Sequence, residues 1–183
     1  MPIEIEKKYQ LTKLQRVAVL ARLSSLGVER SRVDFEENSV FVNENLKLGD
    51  AVVRIRKVDG CAILTFKKRL PSTSGIKHQI ELETSIANPS AMEAILNELG
   101  LALSLIYEKR REVWHYQGVE IVVDELPFGW FLEIEGPETL INEVEHDLEL
   151  KDVVIEHATY PALTRLHGVM NGDIIEARFK SQT

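Results

Sequence analysis

Charged and apolar side chains alternate at the start of the chain. In residues 2–10, "PIEIEKKYQ", the positions Glu4, Glu6 and Lys8 are two residues apart, with mostly apolar residues between them. Alternation with a period of two predicts a β-strand whose neighbouring side chains point to opposite faces. The three charges therefore share one face of the predicted strand, and their meaning depends on whether other strands repeat the pattern.

The same analysis divides the remaining chain into strands, helices and loops. Further strands are predicted over 33–43, 51–58, 62–68, 77–84, 103–116, 118–125 and 129–136. Helices are predicted over 12–26, 88–100, 137–149 and 158–168, with Thr12 and Asn88 as N-caps. The segments 43–50 and 70–75 have loop composition.

Two segments of the chain echo each other. "EIEKKYQLT" and "QIELETSIA" each lead into a predicted helix that ends in "LG", and several predicted strands follow each helix. This similarity favours two related strand–helix–meander halves within one domain. We therefore predict a single domain over 1–170 and a C-terminal tail over 171–183.

Paired charges recur on at least seven of the predicted strands. Their shared faces contain Glu4, Glu6 and Lys8; Arg54 and Arg56; Thr65 and Lys67; Gln79, Glu81 and Glu83; Lys109 and Arg111; Glu120 and Asp124; Glu133 and Glu135. The apolar stripes of the helices must pack on the apolar strand faces, so the charged faces lie on the other side of the sheet. If the sheet stays open they face water, and if it closes they line a polar interior.

The two kinds of charge suit two kinds of ligand. Arginine forks and lysine ammonium groups bind phosphate, whereas carboxylates bind hard divalent cations. A metal–triphosphate complex would use both. The alternative is a solvated sheet face with salt bridges, but regular like-charged pairs on seven strands favour a binding interior.

Composition limits the remaining classes of function. The chain has 183 residues, 44% of them hydrophobic, which is enough for one domain with a core. The formal net charge of −7 argues against a general nucleic-acid or membrane-surface binder. The single cysteine excludes an intramolecular disulfide, and we find no signal-peptide pattern or membrane-spanning apolar run. We expect a cytoplasmic protein.

An ordered set of motifs resembles the CYTH superfamily, also called triphosphate tunnel metalloenzymes. "EIEKK" fits the E-x-E-x-K signature, and the later motifs follow in the family's order: "VVRIRK", "LTFKKR", "IELE", "EKRREVW", "VVDEL" and "FLEIEG". The superfamily includes class IV adenylate cyclases, thiamine triphosphatases and inorganic tripolyphosphatases. The resemblance covers about residues 3–168.

The resemblance implies an α+β fold, an eight-stranded antiparallel β-barrel with helices packed outside, and dependence on Mg²⁺ or Mn²⁺. It implies metal ligands at Glu4, Glu6, Asp124, Glu133 and Glu135. It implies phosphate contacts from Lys8, Arg54, Arg56, Lys67, Lys109 and Arg111. It gives Glu81 and Glu83 a second metal or a supporting role, and it leaves a homodimer open. We expect Glu6 and Lys8 to be essential for catalysis.

Gln79 departs from the family pattern, whereas Tyr160 resembles a family residue. Many members have an arginine two residues before the central E-x-E, where this chain has Gln79, so we expect Lys77 or His78 as a substitute. Tyr160 resembles a tyrosine of the family's C-terminal helix, and either closes one end of the barrel or only packs the helix.

The resemblance leaves the reaction open. Hydrolysis needs in-line attack of water on the terminal phosphoryl group, and cations that stabilise the charge. Cyclisation needs a pocket that places a ribose hydroxyl against the α-phosphorus. No adenine pocket is evident, and only three residues precede Glu4, where class IV cyclases have a His-Phe pair. We therefore expect a triphosphatase that acts on tripolyphosphate, thiamine triphosphate or a nucleoside triphosphate, with a cyclase and a non-catalytic polyphosphate-binding module as alternatives.

Overall fold

A computed structural model describes residues 3–48, 50–71 and 75–180. Its strands are Ile3–Leu11 (β1), Arg30–Val42 (β2), Ala51–Val58 (β3), Cys61–Arg69 (β4), Lys77–Ser85 (β5), Ala102–Tyr116 (β6), Val119–Leu126 (β7), Gly129–Glu135 (β8), Val169–Asn171 (β9) and Ile174–Ala177 (β10). Its helices are Lys13–Ser25 (α1), Glu44–Leu48 (α2), Pro89–Glu98 (α3), Glu138–Asp147 (α4) and Tyr160–His167 (α5).

The first eight strands form a closed antiparallel barrel. They follow the order β2-β3-β4-β5-β1-β8-β7-β6, and a further pairing of β2 with β6 closes the ring. The helices lie outside it, so the predicted α+β barrel fold is confirmed. Closure leaves the eight strands no free edge along their paired lengths, which is how an antiparallel sheet of this size avoids exposed edges.

The strand order has a two-fold relation between the halves of the chain. Exchanging β1–β4 with β5–β8 gives the same order read in the opposite direction, and the first strands of the two halves pair antiparallel at the centre. Each first strand leads into a helix, α1 or α3, as the sequence echo predicts. The two copies of the short repeated motif therefore lie on strands that pair with each other, β1 and β5.

Local sequence signals fix the helix starts. Thr12 and Gln15 form a reciprocal capping box at the start of α1, because each side chain hydrogen-bonds the other residue's backbone N–H. Asn88 accepts a hydrogen bond from the backbone N–H of Ala91 before α3. Both predicted N-caps are confirmed.

Apolar side chains on the outer faces of the strands pack against the helices. Tyr9, Leu132 and Ile134 contact residues of α1 and α4 such as Leu23 and Ile141, which are all fully or almost fully buried. A smaller cluster joins α3 to the outer faces of β2 and β3. This packing directs the alternate residues of the same strands inward. No helix of the described ranges is long and apolar enough to cross a bilayer.

The structure differs from the sequence prediction in three places. Strand β2 begins at Arg30, before the predicted start at 33, and α2 occupies part of the predicted loop 43–50. Residues 72–74 of the predicted loop 70–75 lie outside the described residues, as do 181–183 of the predicted tail. The rest of the predicted tail is largely structured: β9 and β10 form a hairpin, and β10 pairs in parallel with β6.

The end of the chain crosses the seam where the barrel closes. On the outer face, Glu37 of β2 is directly opposite Glu108 of β6. The Arg178 guanidinium lies 2.7 Å from the Glu37 carboxylate and 2.9 Å from the Glu108 carboxylate. Like charges that face each other across a strand pair are destabilising, so Arg178 compensates a repulsion at this seam.

We expect Arg178→Ala to lower the free energy of unfolding by about 0.5–1 kcal/mol, the range for opposed charges and partly exposed ion pairs. Urea unfolding followed by circular dichroism would measure the change. In a Glu37→Gln background the loss should be smaller, because the opposed charges are already gone. Equal losses in both backgrounds would contradict the proposed compensation.

Candidate active site

The barrel encloses a charged cavity of about 640 Å³, to which each of the eight barrel strands contributes at least one side chain. The cavity is lined by most of the residues predicted from the sequence, namely Glu4, Glu6, Lys8, Arg54, Arg56, Lys67, Glu81, Glu83, Lys109, Arg111, Glu133 and Glu135. Asp124 is fully buried behind this lining, in contact with Arg111. Closure of the sheet thus turns the charged faces into one interior.

Three carboxylates form a compact acidic cluster. Glu4, Glu6 and Glu135 each offer one oxygen, and these oxygens lie within 4.8 Å of one another. The cluster arises because β1 pairs with β8 in a register that places Glu6 opposite Glu135. Carboxylate oxygens are the ligands preferred by Mg²⁺ and Mn²⁺, so the donor set fits such a cation.

Electrostatics support a cation at this cluster. Burial raises the pKa of Glu135 to about 8, and the charges of Glu133, Glu4 and Glu6 add to this effect against the opposing charge of Arg111. A carboxyl group with so high a pKa lacks enough positive charge nearby to favour its ionised form. A divalent cation would supply that charge.

Lys67 contacts Glu4 of the acidic cluster and one further carboxyl group, Glu81. Its Nζ lies 2.7 Å from Glu4 Oε2 and 3.0 Å from Glu81 Oε2. Burial and a hydrogen bond with Glu4 raise the pKa of Glu81 to about 8. Burial opposes ionisation of Glu4, but the hydrogen bond from Glu81 and the charge of Lys67 hold its pKa below 4.5. Near neutral pH, Glu81 therefore carries the proton of the hydrogen bond between the two acids, and Glu4 is ionised.

Asp124 and Glu133 are held by cations and do not belong to the acidic cluster. Arg111 donates to both Asp124 oxygens, at 2.9 and 2.7 Å, and to Glu133 at 2.8 Å. The Tyr160 hydroxyl donates to Asp124 at 2.8 Å, and Lys8 lies 3.2 Å from Glu133. The structure therefore brings together three of the five predicted metal ligands and gives the other two a different set of neighbours.

Arg54 and Arg56 have unused hydrogen-bonding capacity. One guanidinium nitrogen of Arg54 lies 3.4 Å from the Thr65 hydroxyl, and Arg56 lies 3.1 Å from Glu83. The Nε atoms of both arginines are buried and have no hydrogen-bond partner within the described ranges. Both side chains line the cavity and are partly exposed to it, so an anion there would meet guanidinium donors.

Lys8 is a buried cation. Its ammonium group lies 3.3 Å from the Ala158 carbonyl oxygen and 3.8 Å from the centre of the Tyr160 ring. Burial lowers the pKa of Lys8, but the charges of Glu133 and Glu6 outweigh this effect and raise it above 10.5. Lys8 is thus protonated near neutral pH and suits charge stabilisation.

Tyr160 packs at one end of the cavity. The extended segment before α5 pairs with β1 beyond the end of its pairing with β5, through a hydrogen bond from the Glu156 N–H to the Lys8 carbonyl. Tyr160 follows at the start of α5, where its ring also contacts Tyr107 and Phe131. Both expectations for this residue therefore apply, because it packs the helix and lies across the end of the barrel.

Gln79 and its neighbours show how the departure from the family pattern is accommodated. The Gln79 side chain donates to Glu4 at 2.9 Å. Of the two expected substitutes, Lys77 is inside, 3.2 Å from Glu6, whereas His78 lies toward Glu138 of α4. Burial and the charge of Lys8 lower the Lys77 pKa to about 8.

Glu36 is a central residue that the sequence analysis missed. It is 2% exposed, and it lies 3.4 Å from Lys109, 3.8 Å from Arg56 and 3.9 Å from Arg111. Burial opposes its ionisation, but these cations lower its pKa to about 2. In "FEENSVFV", Glu36 shares a strand face with Asn38, and Glu37 lies on the opposite face. Because both faces carry an acid here, the sequence does not show which of the two glutamates points inward.

The stability contributed by Glu36 should depend on pH. Its folded-state pKa of about 2 is below the ordinary value of 4.5, so its contribution is present above pH 4.5 and is lost as the pH falls toward 2. A shift of this size corresponds to about 3 kcal/mol. The difference in free energy of unfolding between wild type and Glu36→Gln, from urea unfolding at several pH values, should shrink over this range. A difference independent of pH would contradict the ionised state of Glu36.

Comparison with known proteins agrees with this geometry. The CYTH domain family model matches residues 2–158, and the chain belongs to this family. A search of curated proteins gave no significant match.

Solved structures share the fold at low sequence identity. A Pyrococcus horikoshii protein superposes with a TM-score of 0.75 at 22% identity, covering 86% of this chain and 96% of that chain. A Hippeastrum protein, described as an adenylyl cyclase candidate with a dominant triphosphatase activity, superposes with a TM-score of 0.69 at 20% identity, covering 93% and 98%. A Vibrio parahaemolyticus protein, described as an adenylate cyclase candidate, gives 0.67 at 18% identity, covering 87% and 95%.

Proposed function

We propose that this protein is a divalent-metal-dependent phosphohydrolase that acts on a triphosphate bound inside the barrel. Inorganic tripolyphosphate, thiamine triphosphate and nucleoside triphosphates are the candidate substrates. The observation that carries the proposal is one cavity that combines the acidic cluster of Glu4, Glu6 and Glu135 with the guanidinium groups of Arg54 and Arg56. Such a combination fits a metal–polyphosphate complex better than either a metal or an anion alone.

The acidic cluster would hold Mg²⁺ or Mn²⁺ through Glu4, Glu6 and Glu135. The bound cation would supply Lewis-acid charge that neutralises phosphate oxygens. The remaining steps depend on the side chains of the chain itself.

The basic residues bind and orient the phosphate chain. Arg54 and Arg56 donate to phosphate oxygens through guanidinium groups that line the cavity, and Lys67 adds charge beside them. Because phosphoryl transfer spreads negative charge over the equatorial and leaving oxygens, fixed cations stabilise the transition state. Burial within the barrel walls strengthens these interactions by keeping bulk water away.

Lys8 would hold positive charge at the reacting phosphoryl group. Its raised pKa suits it to this role and not to proton abstraction near neutral pH. Lys109 and Arg111, fixed by Asp124, present further charge from β6. This arrangement requires no dedicated nucleophilic side chain.

Cyclisation of ATP is the second candidate. Two of the fold neighbours are described as adenylate cyclase candidates. The cavity also has an apolar stretch, with Val52, Pro161 and Ala162 beside Arg165, that could hold an organic group. We rank hydrolysis first because its chemistry needs only the charges that the cavity supplies.

A substrate panel would test the proposal directly. Purified protein incubated with tripolyphosphate, thiamine triphosphate or ATP, each with Mg²⁺, Mn²⁺ or EDTA, should release phosphate from at least one substrate in a metal-dependent manner. Cyclic AMP and pyrophosphate from ATP would establish the cyclase instead. No turnover in any combination would refute both enzymes and favour a polyphosphate-binding module.

Loss of single interior charges should abolish turnover without unfolding the protein. We expect Glu6→Gln, Lys8→Ala and Lys67→Met to lower kcat/KM by about 100-fold or more, as for removal of one preorganised charge stabiliser. The matched control is Lys68→Met, because Lys68 is the exposed neighbour of Lys67 on β4. Circular dichroism would confirm folding. Full activity in the interior variants, or equal losses in the control, would rule out this site.

A further inference from the structure

Glu36 is a buried carboxylate behind the lining of the cavity, among cations that we propose bind phosphate. It is almost completely buried, and its nearest charged neighbours are the phosphate-contact candidates Lys109, Arg56 and Arg111. It does not belong to the cluster of Glu4, Glu6 and Glu135. A carboxylate at this place competes with the substrate for the same cations, so its presence needs a compensating role.

The position of Glu36 in the barrel suggests that role. Strand β2 lies between β3 and β6. From β2, Glu36 reaches Arg56 on one flanking strand and Lys109, its direct cross-strand partner, on the other. Among the described residues, Arg56 has Glu83 as its carboxylate partner besides Glu36, and Lys109 has Asp124. Glu36 is the carboxylate within reach of both.

Mutual repulsion makes this link important. Two cations near each other in a low-dielectric cavity repel strongly and would move apart without a carboxylate between them. Arg56 would then keep only its contact with Glu83, and Lys109 only its contact with Asp124. A single carboxylate between them holds both side chains at the same side of the cavity.

We infer that Glu36 is a positioning residue, which fixes the cations of β3 and β6 in the arrangement that stabilises the transferred phosphoryl group. This inference rests on the proposed function. Glu36 contacts neither substrate nor metal in this role. It acts through Arg56, Lys109 and Arg111. Preorganised charge stabilises a transition state more than a ground state, so the effect belongs to kcat.

The test compares Glu36→Gln with wild type on the substrate that the panel identifies. Glutamine keeps the size of the side chain and removes the charge. We expect kcat to fall at least about tenfold, since misplaced catalytic groups are costly. We expect KM to stay unchanged or to fall, because a competing anion has been removed.

Two further variants make the result specific. Glu36→Asp keeps the charge and should recover part of the lost kcat. Glu37→Gln is the matched control, because Glu37 points outward to Lys57 and Arg178 and should leave kcat unchanged. A merely structural carboxylate would lower the unfolding midpoint of Glu36→Gln and leave the kcat of the folded protein as in wild type.

A crystal structure of Glu36→Gln gives a readout that does not depend on turnover. The Arg56 guanidinium and the Lys109 ammonium should move apart, each keeping its remaining carboxylate partner, Glu83 or Asp124. Unchanged positions of both groups would overturn the inference even if the protein proves to be a binding module. If the wild-type protein is active, an unchanged kcat of Glu36→Gln, or an effect confined to its KM, would also overturn the inference. That outcome would leave the proposed phosphohydrolase function standing.

Discussion

The structure depends on compensating the charges that closure of the barrel buries. A buried ion without a partner costs several kcal/mol, so an interior of this composition is stable only if each charge has an opposite charge within reach. Cross-strand pairs provide this compensation: Lys8 with Glu133, Lys67 with Glu81, and Arg111 with Asp124. The compensation is incomplete at the acidic cluster, where carboxylates face one another, and at the unpartnered nitrogens of Arg54 and Arg56. Those are the places where a cation and an anion would bind.

The two-fold arrangement of the halves explains how one chain assembles such an interior. The first strands of the halves pair with each other, and the last strand of each half pairs with the first strand of the other. Residues far apart in sequence, such as Glu6 and Glu135, therefore become direct neighbours. The outer face is compensated in its own way. Helices cover the apolar strand faces, whereas the charged seam between β2 and β6 is covered by the C-terminal segment with Arg178.

Much of the fold could be predicted from the sequence because each element carries its own signal. Alternation gave the strands within a few residues, and Thr12 and Asn88 marked helix starts through their capping side chains. The C-terminal hairpin was missed because its two strands have three and four residues, too few for a periodic pattern. Its stability comes from pairing with β6, which is a tertiary contact.

The sequence itself determined that Glu4, Glu6 and Lys8 share one strand face, as do the paired charges on later strands, because alternation has a period of two. Which charges meet was decided only by the tertiary structure. Barrel closure and strand register bring Glu135 to Glu4 and Glu6, yet turn Asp124 toward Arg111 and Tyr160. The pleat places Glu36 and Glu37 on opposite faces, and strand pairing then decides that Glu36 meets the interior cations and Glu37 the outer seam. A local pattern sets the face of a residue, but its partners depend on long-range strand pairing, for which a single sequence carries no direct signal.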